Sequence, residues 1–232
     1  MTKTVAIVSG GMDSVTLLHK VVKEDGADHV LALSFNYGQR HKKELHMAAD
    51  QCRRLGVRHE VIELGFLRPL IATSALTNAH VEVPEGHYAA ESMKATVVPN
   101  RNMLMLSVAA AIAIAEKATR LAYGAHAGDH DIYPDCRKEF VHALAEAIRL
   151  ADWHEVALFA PFLDITKADI VREGLALGVD YGSTWTCYKG GETACGKCGT
   201  CVERLEAFSV AGTEDPLPYE DREFWKAQVK AA

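Results

Sequence analysis

Two groups of residues in this chain have the types and the spacing to do chemistry. The first is Ser9-Gly10-Gly11-Met12-Asp13-Ser14, directly after the apolar run Thr4-Val5-Ala6-Ile7-Val8. A buried strand that ends in a glycine-rich turn and then opens a helix leaves N–H groups unpaired at the helix start. Together with the helix dipole they attract an anion. Gly10 and Gly11 permit positive φ and let the backbone close on a phosphate. Asp13 and Ser14 suit a helix start because their side chains cap free N–H groups. The second group is Cys187, Cys195, Cys198 and Cys201, one seven-residue gap followed by two C-x-x-C steps. Four thiolates this close satisfy tetrahedral Zn²⁺ with every position filled, so the ion, one per chain, would be structural. Glycines 190, 191, 196 and 199 let the chain fold tightly around so small a centre. An iron–sulfur cluster suits four cysteines too, and two disulfides are a third reading. Lys197 and Arg204 are placed to offset part of the site's negative charge. Cys52, in a helical pattern, reads as a small apolar residue.

The glycine-rich loop is not a Walker loop, since no Gly-Lys-Ser/Thr follows a four-residue gap. Nor is it a dinucleotide fingerprint, because its glycines are adjacent. Ser-Gly-Gly-x-Asp-Ser after a strand resembles the PP-loop of the ATP pyrophosphatase superfamily. There the loop holds the pyrophosphate part of ATP while a substrate oxygen attacks the α-phosphate.

The elements that must position these groups alternate strand and helix. Strand-like runs are Val5–Val8, Val30–Phe35, His59–Ile62, Arg120–Tyr123 and Ala157–Phe162; helical patterns are Ser14–Glu24, Lys42–Leu55, Arg101–Lys117, Arg137–Leu150 and Lys167–Leu177. That order predicts an α/β fold with a parallel, doubly wound sheet and ligands at the carboxyl ends of its strands. We expect a PP-loop ATP-binding unit over residues 1–180 and a four-cysteine segment with a C-terminal tail over 181–232. The irregular stretch Glu63–Asn100 reads as a cover over the site, or as a plain surface excursion. The tail Thr213–Ala232 would dock on the body or on a partner.

Hydrophobic content of 49% against 24% charged residues fits an ordinary soluble protein, and the formal net charge of −6 argues against a nucleic-acid surface. A local basic patch at Arg40, His41, Lys42 and Lys43 is a candidate anion contact or a solvated helix start. No apolar run reaches a membrane span, and Leu104–Ala115 reads as a buried helix. An N-terminus that enters a strand directly carries no signal peptide, which with four clustered thiols leads us to expect a cytoplasmic protein.

Further clusters follow the strands: Tyr37-Gly38-Gln39-Arg40-His41, Pro99-Asn100-Arg101-Asn102, Tyr133-Pro134-Asp135-Cys136-Arg137 and Thr184-Trp185-Thr186-Cys187. Most mix polar groups with an aromatic ring, which suits a planar heterocycle with polar edges. Together with the loop and the cysteine array they resemble the 7-cyano-7-deazaguanine synthase family over residues 4–208. The resemblance implies ATP-dependent conversion of 7-carboxy-7-deazaguanine and ammonia to the nitrile, through an adenylated acid and an adenylated amide, with Mg²⁺ accompanying ATP. It implies ATP contacts from Val8, Ser9, Gly10, Gly11, Met12, Asp13, Ser14, Val15, Thr16, Leu17 and Leu18, with Arg101 and Lys167 neutralising phosphate charge. Tyr37, Gln39, His126, Asp131, Asp135 and Arg137 are the candidate substrate residues. Arg137 pairs either with the substrate carboxylate or with Asp135, and His126 is a catalyst or a satisfied loop histidine. The family's habit implies a homodimer. A PP-loop tRNA thiolation enzyme is the alternative, and a non-catalytic zinc adaptor is a third class.

Overall fold

A computed structural model describes residues 1–88 and 90–229, with the backbone alone at His130 and Asp131. Five apolar segments pair as one parallel sheet: β1 (Thr4–Ile7), β2 (Val30–Asn36), β3 (Arg58–Glu63), β4 (Arg120–Ala122) and β5 (Ala157–Phe159), in the order β3-β2-β1-β4-β5. Register is set from the central strand, where Thr4 lies opposite Val30 on one side and Arg120 on the other. The crossovers are α1 (Met12–Asp25), α2 (Lys43–Leu55), α3 (Arg101–Ala115), α4 (Lys138–Leu150) and α5 (Lys167–Ala176). Leu31, Leu33 and Leu121 turn to one face, under Leu106 and Ala109 of α3 and Leu144 of α4. Ala32 and Ala122 turn to the other, under Leu17 and Leu18 of α1, Ala48 of α2 and Ile170 of α5. Both faces are therefore covered, which is why the strands read as apolar runs. Cys52 packs in this second layer as expected, and burial pushes its thiol up to about 12.

The expected elements all form, with shifted ends. The last strand stops at Phe159, because Pro161 has no N–H for a ladder. The first helix begins at Met12, so Asp13 and Ser14 lie inside it and neither caps it; Gly11 is the cap position and makes no side-chain cap bond. Two further helices lie beyond Cys198, α6 (Gly199–Ala211), whose first turn contains Cys201, and α7 (Trp225–Val229). The stretch Glu63–Asn100 carries two 3₁₀ turns, Gly65–Leu70 and Glu91–Thr96, and buries Ala75, Leu76, Tyr88 and Met93. It packs on the cysteine segment through a bridge between Glu85 and Cys198 and a bond from Gly86 N–H to Lys197 C=O.

The tail docks on the body. Arg204 of α6 is fully buried with Asp215, giving Oδ2 and Oδ1 bonds of 2.7 and 2.9 Å. The same guanidinium donates to Thr184 Oγ1, Thr186 Oγ1 and Tyr181 C=O, while Tyr219 O–H and Leu217 N–H donate to Asp215. Arg204 is held by Asp215 yet still within electrostatic reach of Cys201, as expected of it, while Lys197 lies near Asp221. A buried pair stripped of one member leaves an unmatched charge. Asp215→Ala is therefore expected to destabilise the protein by about 3–5 kcal/mol, and Arg204→Met with Asp215→Leu by less. Urea denaturation of both variants checks this, and an Asp215→Ala loss below that of the double variant would refute it.

Candidate active site

In this order of strands the chain reverses direction beside β1, so a crevice opens between the carboxyl ends of β1 and β4. The glycine-rich loop follows β1, and Tyr123-Gly124-Ala125 follows β4; both line one cavity of ≈ 220 Å³. Ser14 folds the loop. Its hydroxyl accepts from Ser9 N–H (3.1 Å) and Gly10 N–H (3.2 Å) and donates to Gly11 C=O (3.0 Å). Ser9 Oγ accepts from Gly11 N–H at 3.3 Å. The helical ladder starts with Val15 N–H to Gly11 C=O, so the N–H groups of Met12, Asp13 and Ser14 precede it at the positive end of α1. Gly10 alone of the pair has positive φ, +94°, and a Cβ there would lie 2.0 Å from Glu44 C=O. Gly11, at φ −76°, is under no such demand. Of the stretch from Val8 to Leu18, the residues lining the cavity are Val8, Ser9, Gly11, Met12, Asp13 and Ser14. Val15, Thr16, Leu17 and Leu18 turn into the core, where Thr16 Oγ1 meets Tyr181 O–H at 2.8 Å.

Behind the loop lies a buried charge cluster. Lys167, in the first turn of α5, sits 2.6 Å from Glu203 Oε2, 3.2 Å from Asp13 Oδ2 and 3.3 Å from His126 Nε2. Thr166 sets its position by capping α5 through a reciprocal bond with Asp169. Burial works against the Lys167 charge, but Asp13, Glu203 and Asp129 outweigh it and hold its pKa above the lysine range. Burial raises Glu203, whereas Asp129 is held below the usual carboxylate range despite burial, by His126 and Lys167. His126 accepts from Gly128 N–H at Nδ1 and faces this cluster from beneath rather than lining the cavity. Asp13 Oδ1 is buried without a partner among the described residues.

The opposite wall is aromatic. Tyr37, Tyr88, Tyr123, Tyr133 and Tyr188 all line the cavity, with Arg101, Asn102 and Met105 of α3 between them. Burial raises all five phenols above the ordinary tyrosine range, so each is a neutral donor and acceptor. Tyr88 O–H donates to Asp129 (3.0 Å), and Tyr133 O–H lies 2.7 Å from Thr96 Oγ1 and 3.3 Å from Tyr188 O–H. Gln39 stands behind this wall. It accepts from Tyr37 N–H and donates to Phe35 C=O, clasping the loop after β2. Asp135 accepts from Asn102 N–H at 3.0 Å and so steadies the start of α3. Arg137 is exposed at the start of α4, outside the cavity lining, and the Asp131 side chain lies outside the described residues. The expected basic patch is split: Arg40 and Lys42 are exposed, Arg40 donating to the Ala75 and Val81 carbonyls, whereas His41 is buried and Lys43 lies over the Trp185 ring at 4.0 Å.

The four cysteines converge. Their sulfurs are buried, lie within 4.8 Å of one another, and make no disulfide. Cys195 and Cys201 are 3.9 Å apart. A thiolate tetrahedron with metal–sulfur bonds of about 2.3 Å has edges of about 3.8 Å, so the set fits one ion. Backbone N–H groups of Cys195, Lys197 and Cys198 point at the sulfurs, as they do around thiolates. The centre reaches the cavity by two routes. Trp185, two residues before Cys187, donates its N–H to Gly10 C=O at 2.9 Å. Cys198 is the N-cap of α6, which carries Thr200 to the cavity wall and Glu203 to Lys167.

Sequence reading missed Glu203, Asp129, Glu44 and the tyrosines other than Tyr37 and Tyr133, while Trp185 stood in a cluster it had singled out. Glu203 has a signal, two residues past the last cysteine on a helix the array itself starts. The tyrosines have one also, since they sit after strand ends or in the loops beside them. Asp129 has none in its glycine-rich loop.

Known proteins bear on this arrangement. The profile of the family described as "Queuosine biosynthesis protein QueC" matches residues 3–212. A "7-cyano-7-deazaguanine synthase" of Hahella chejuensis (strain KCTC 2396) is 56% identical over 218 residues, 94% of this chain and 93% of that one. One of Caldicellulosiruptor saccharolyticus is 55% identical over 223 residues, 96% and 98% of the two chains. Among solved structures, NMN synthetase from Francisella tularensis aligns with a TM-score of 0.53 at 14% identity, over 99% of this chain and 85% of that one. The U34-tRNA thiolase NcsA from Methanococcus maripaludis, with its [4Fe-4S] cluster, gives 0.50 at 14% identity, over 78% and 58%. At such identity these two share the fold, a parallel sheet wound as described above. A match to one family's profile over residues 3–212, joined to relatives more than half identical over more than nine-tenths of both chains, places the chain: it belongs to the QueC family of queuosine biosynthesis proteins.

Proposed function

We propose that this chain makes 7-cyano-7-deazaguanine from 7-carboxy-7-deazaguanine and ammonia, using ATP twice. The observation that carries the reading is one cavity that joins an anion-binding loop to a wall of neutral tyrosines. A carboxylate is a poor acyl donor because its oxygen leaves badly, and adenylation corrects that. The N–H groups of Ser9 to Ser14 would hold the pyrophosphate portion, with Lys167 and Arg101 balancing its charge. No base is needed for a carboxylate to attack phosphorus, so this step rests on positioning and electrostatics. Tyr37, Tyr88, Tyr133 and Tyr188 would frame the heterocycle and bond its edges. Gln39 and Asp135 support that wall from behind, and His126 backs the charge cluster on the loop side. The charge cluster behind the loop suits Mg²⁺ travelling with ATP, and Asp13, with its unpartnered oxygen, is the residue to meet it.

The segment from residue 181 onward acts in this reading as a metal-held wall for a site whose loop lies in residues 1–180. Zn²⁺ fits the four-cysteine centre best, because a cluster of several irons sets one under each thiolate and spreads the sulfurs further apart. It would supply structure and no chemistry, since all four positions are closed. No helix among the described residues is long and apolar enough to cross a membrane, and the clustered thiols suit the reducing cytoplasm. A homodimer is supported by α3, whose outer face exposes Met103, Ser107, Ala111 and Ala115 at four-residue spacing between half-buried Leu104, Val108 and Ile112.

Incubation with Mg-ATP, ammonium and 7-carboxy-7-deazaguanine is expected to give the nitrile, with two AMP per product, by mass spectrometry; a sulfur-bearing product or no turnover sinks the reading. Elemental analysis should return one zinc per chain, and Cys198→Ser should lose it together with thermal stability; iron with sulfide would overturn this. Light scattering should give twice the monomer mass, and Met103→Glu with Ala111→Glu should halve it, whereas a monomeric wild type refutes the dimer.

A further inference from the structure

His41 closes the Tyr-Gly-Gln-Arg-His motif and has no part in the reading above. Its ring is 3% exposed and lines the cavity, tilted against Tyr188 with centroids 5.4 Å apart. Its Nε2 lies 3.4 Å from Glu44 Oε2. Glu44 is itself held, since Gln39 Nε2 donates to its other oxygen at 3.4 Å and Gln39 is clasped at both ends by the loop after β2. An ionised carboxylate only accepts, so the proton of neutral His41 sits on Nε2 and Nδ1 carries the lone pair. That Nδ1 is buried without a partner. Among the described residues the buried side-chain atoms lacking a partner are Asp13 Oδ1, His41 Nδ1 and Tyr123 O–H, and all three residues line the same cavity. A buried acceptor costs free energy unless something in the cavity meets it.

Resting on the function proposed above, we propose that His41 is the base for both nitrogen steps, with Glu44 as its positioning residue. Near neutral pH ammonia is mostly ammonium, which has no lone pair to attack with. His41 Nδ1 takes one proton from ammonium. The freed nitrogen attacks the carbonyl of the acyl-adenylate; the C–N bond forms, the C–O bond to AMP breaks, and AMP leaves with the electron pair. The extra proton on nitrogen then passes through the same imidazole to solvent. In the second half the amide oxygen carries AMP. Two N–H protons leave through Nδ1 in turn, and the C–O bond breaks toward AMP as the third C–N bond forms. No oxidant or reductant is required. Adenylation itself removes no proton, so the base separates the two kinds of step.

The test splits them. Acid-dependent exchange of pyrophosphate into ATP reads adenylation, and amide formation reads the nitrogen step. Hydroxylamine, already unprotonated near neutral pH, bypasses the base. His41→Asn is expected to keep exchange and hydroxamate formation while amide formation from ammonium falls on the order of 10²-fold. Glu44→Gln, which keeps the volume and an acceptor for Nε2–H, should show the same split more weakly and stands in should His41→Asn fail to fold. Equal losses in exchange and amide formation, or no loss at all, would overturn the proposal. A wild-type enzyme without exchange or product would instead overturn the function proposed above.

Discussion

Four buried cysteine sulfurs lie within 4.8 Å of one another, and ionised together they would repel unless a cation sat among them. The set is one that a metal ion could hold, and much of the site hangs from these four residues. Trp185 reaches back from Cys187 to the carbonyl of Gly10, so the turn of the phosphate loop is fixed at one end by the sheet and at the other by the cysteine segment. Helix α6 starts at Cys198 and presents Glu203 to Lys167 and Arg204 to Asp215 two and three residues past its last thiol. The stretch around the cysteines is also packed by Ala75, Val83, Trp185, Ala194 and Leu217, a small apolar cluster of its own.

Lys167 then transmits this order to the loop. It is buried, yet Asp13, Asp129 and Glu203 around it keep it charged, which gives the cavity a fixed positive group beside the start of α1. The carboxylates in turn leave the region short of cations, so a phosphate bound there would call for a further positive charge. The opposite wall carries five neutral tyrosines, with Arg101 and Glu44 as charged groups among them. One end of the cavity is thus mainly ionic and the other mainly aromatic.

The sheet and its crossovers were legible because both faces are buried, so apolar runs marked the strands and helical periods marked the rest. Loop and cysteines were legible because each needs residue types that little else explains. What escaped was set by tertiary packing. Asp13 and Ser14 look like caps, but Trp185 and α2 press Gly10 into positive φ, so the helix starts at Met12 and Ser14 folds back on the loop. Arg40, His41, Lys42 and Lys43 look like one basic surface, but His41 is buried and Lys43 lies over Trp185, which leaves Arg40 and Lys42 exposed. Asp135 carries the right chemistry for a guanine edge, and only the fold shows it turned to Asn102. Helix α6 was hidden because its first turn is written in metal ligands.

The hydroxyl of Ser14 has a further consequence. Its oxygen accepts from the N–H groups of Ser9 and Gly10. The turn is therefore folded by the chain's own hydroxyl, and its shape needs no outside anion to set it. An anion that met these donors would exchange one oxygen acceptor for another instead of ordering a slack segment.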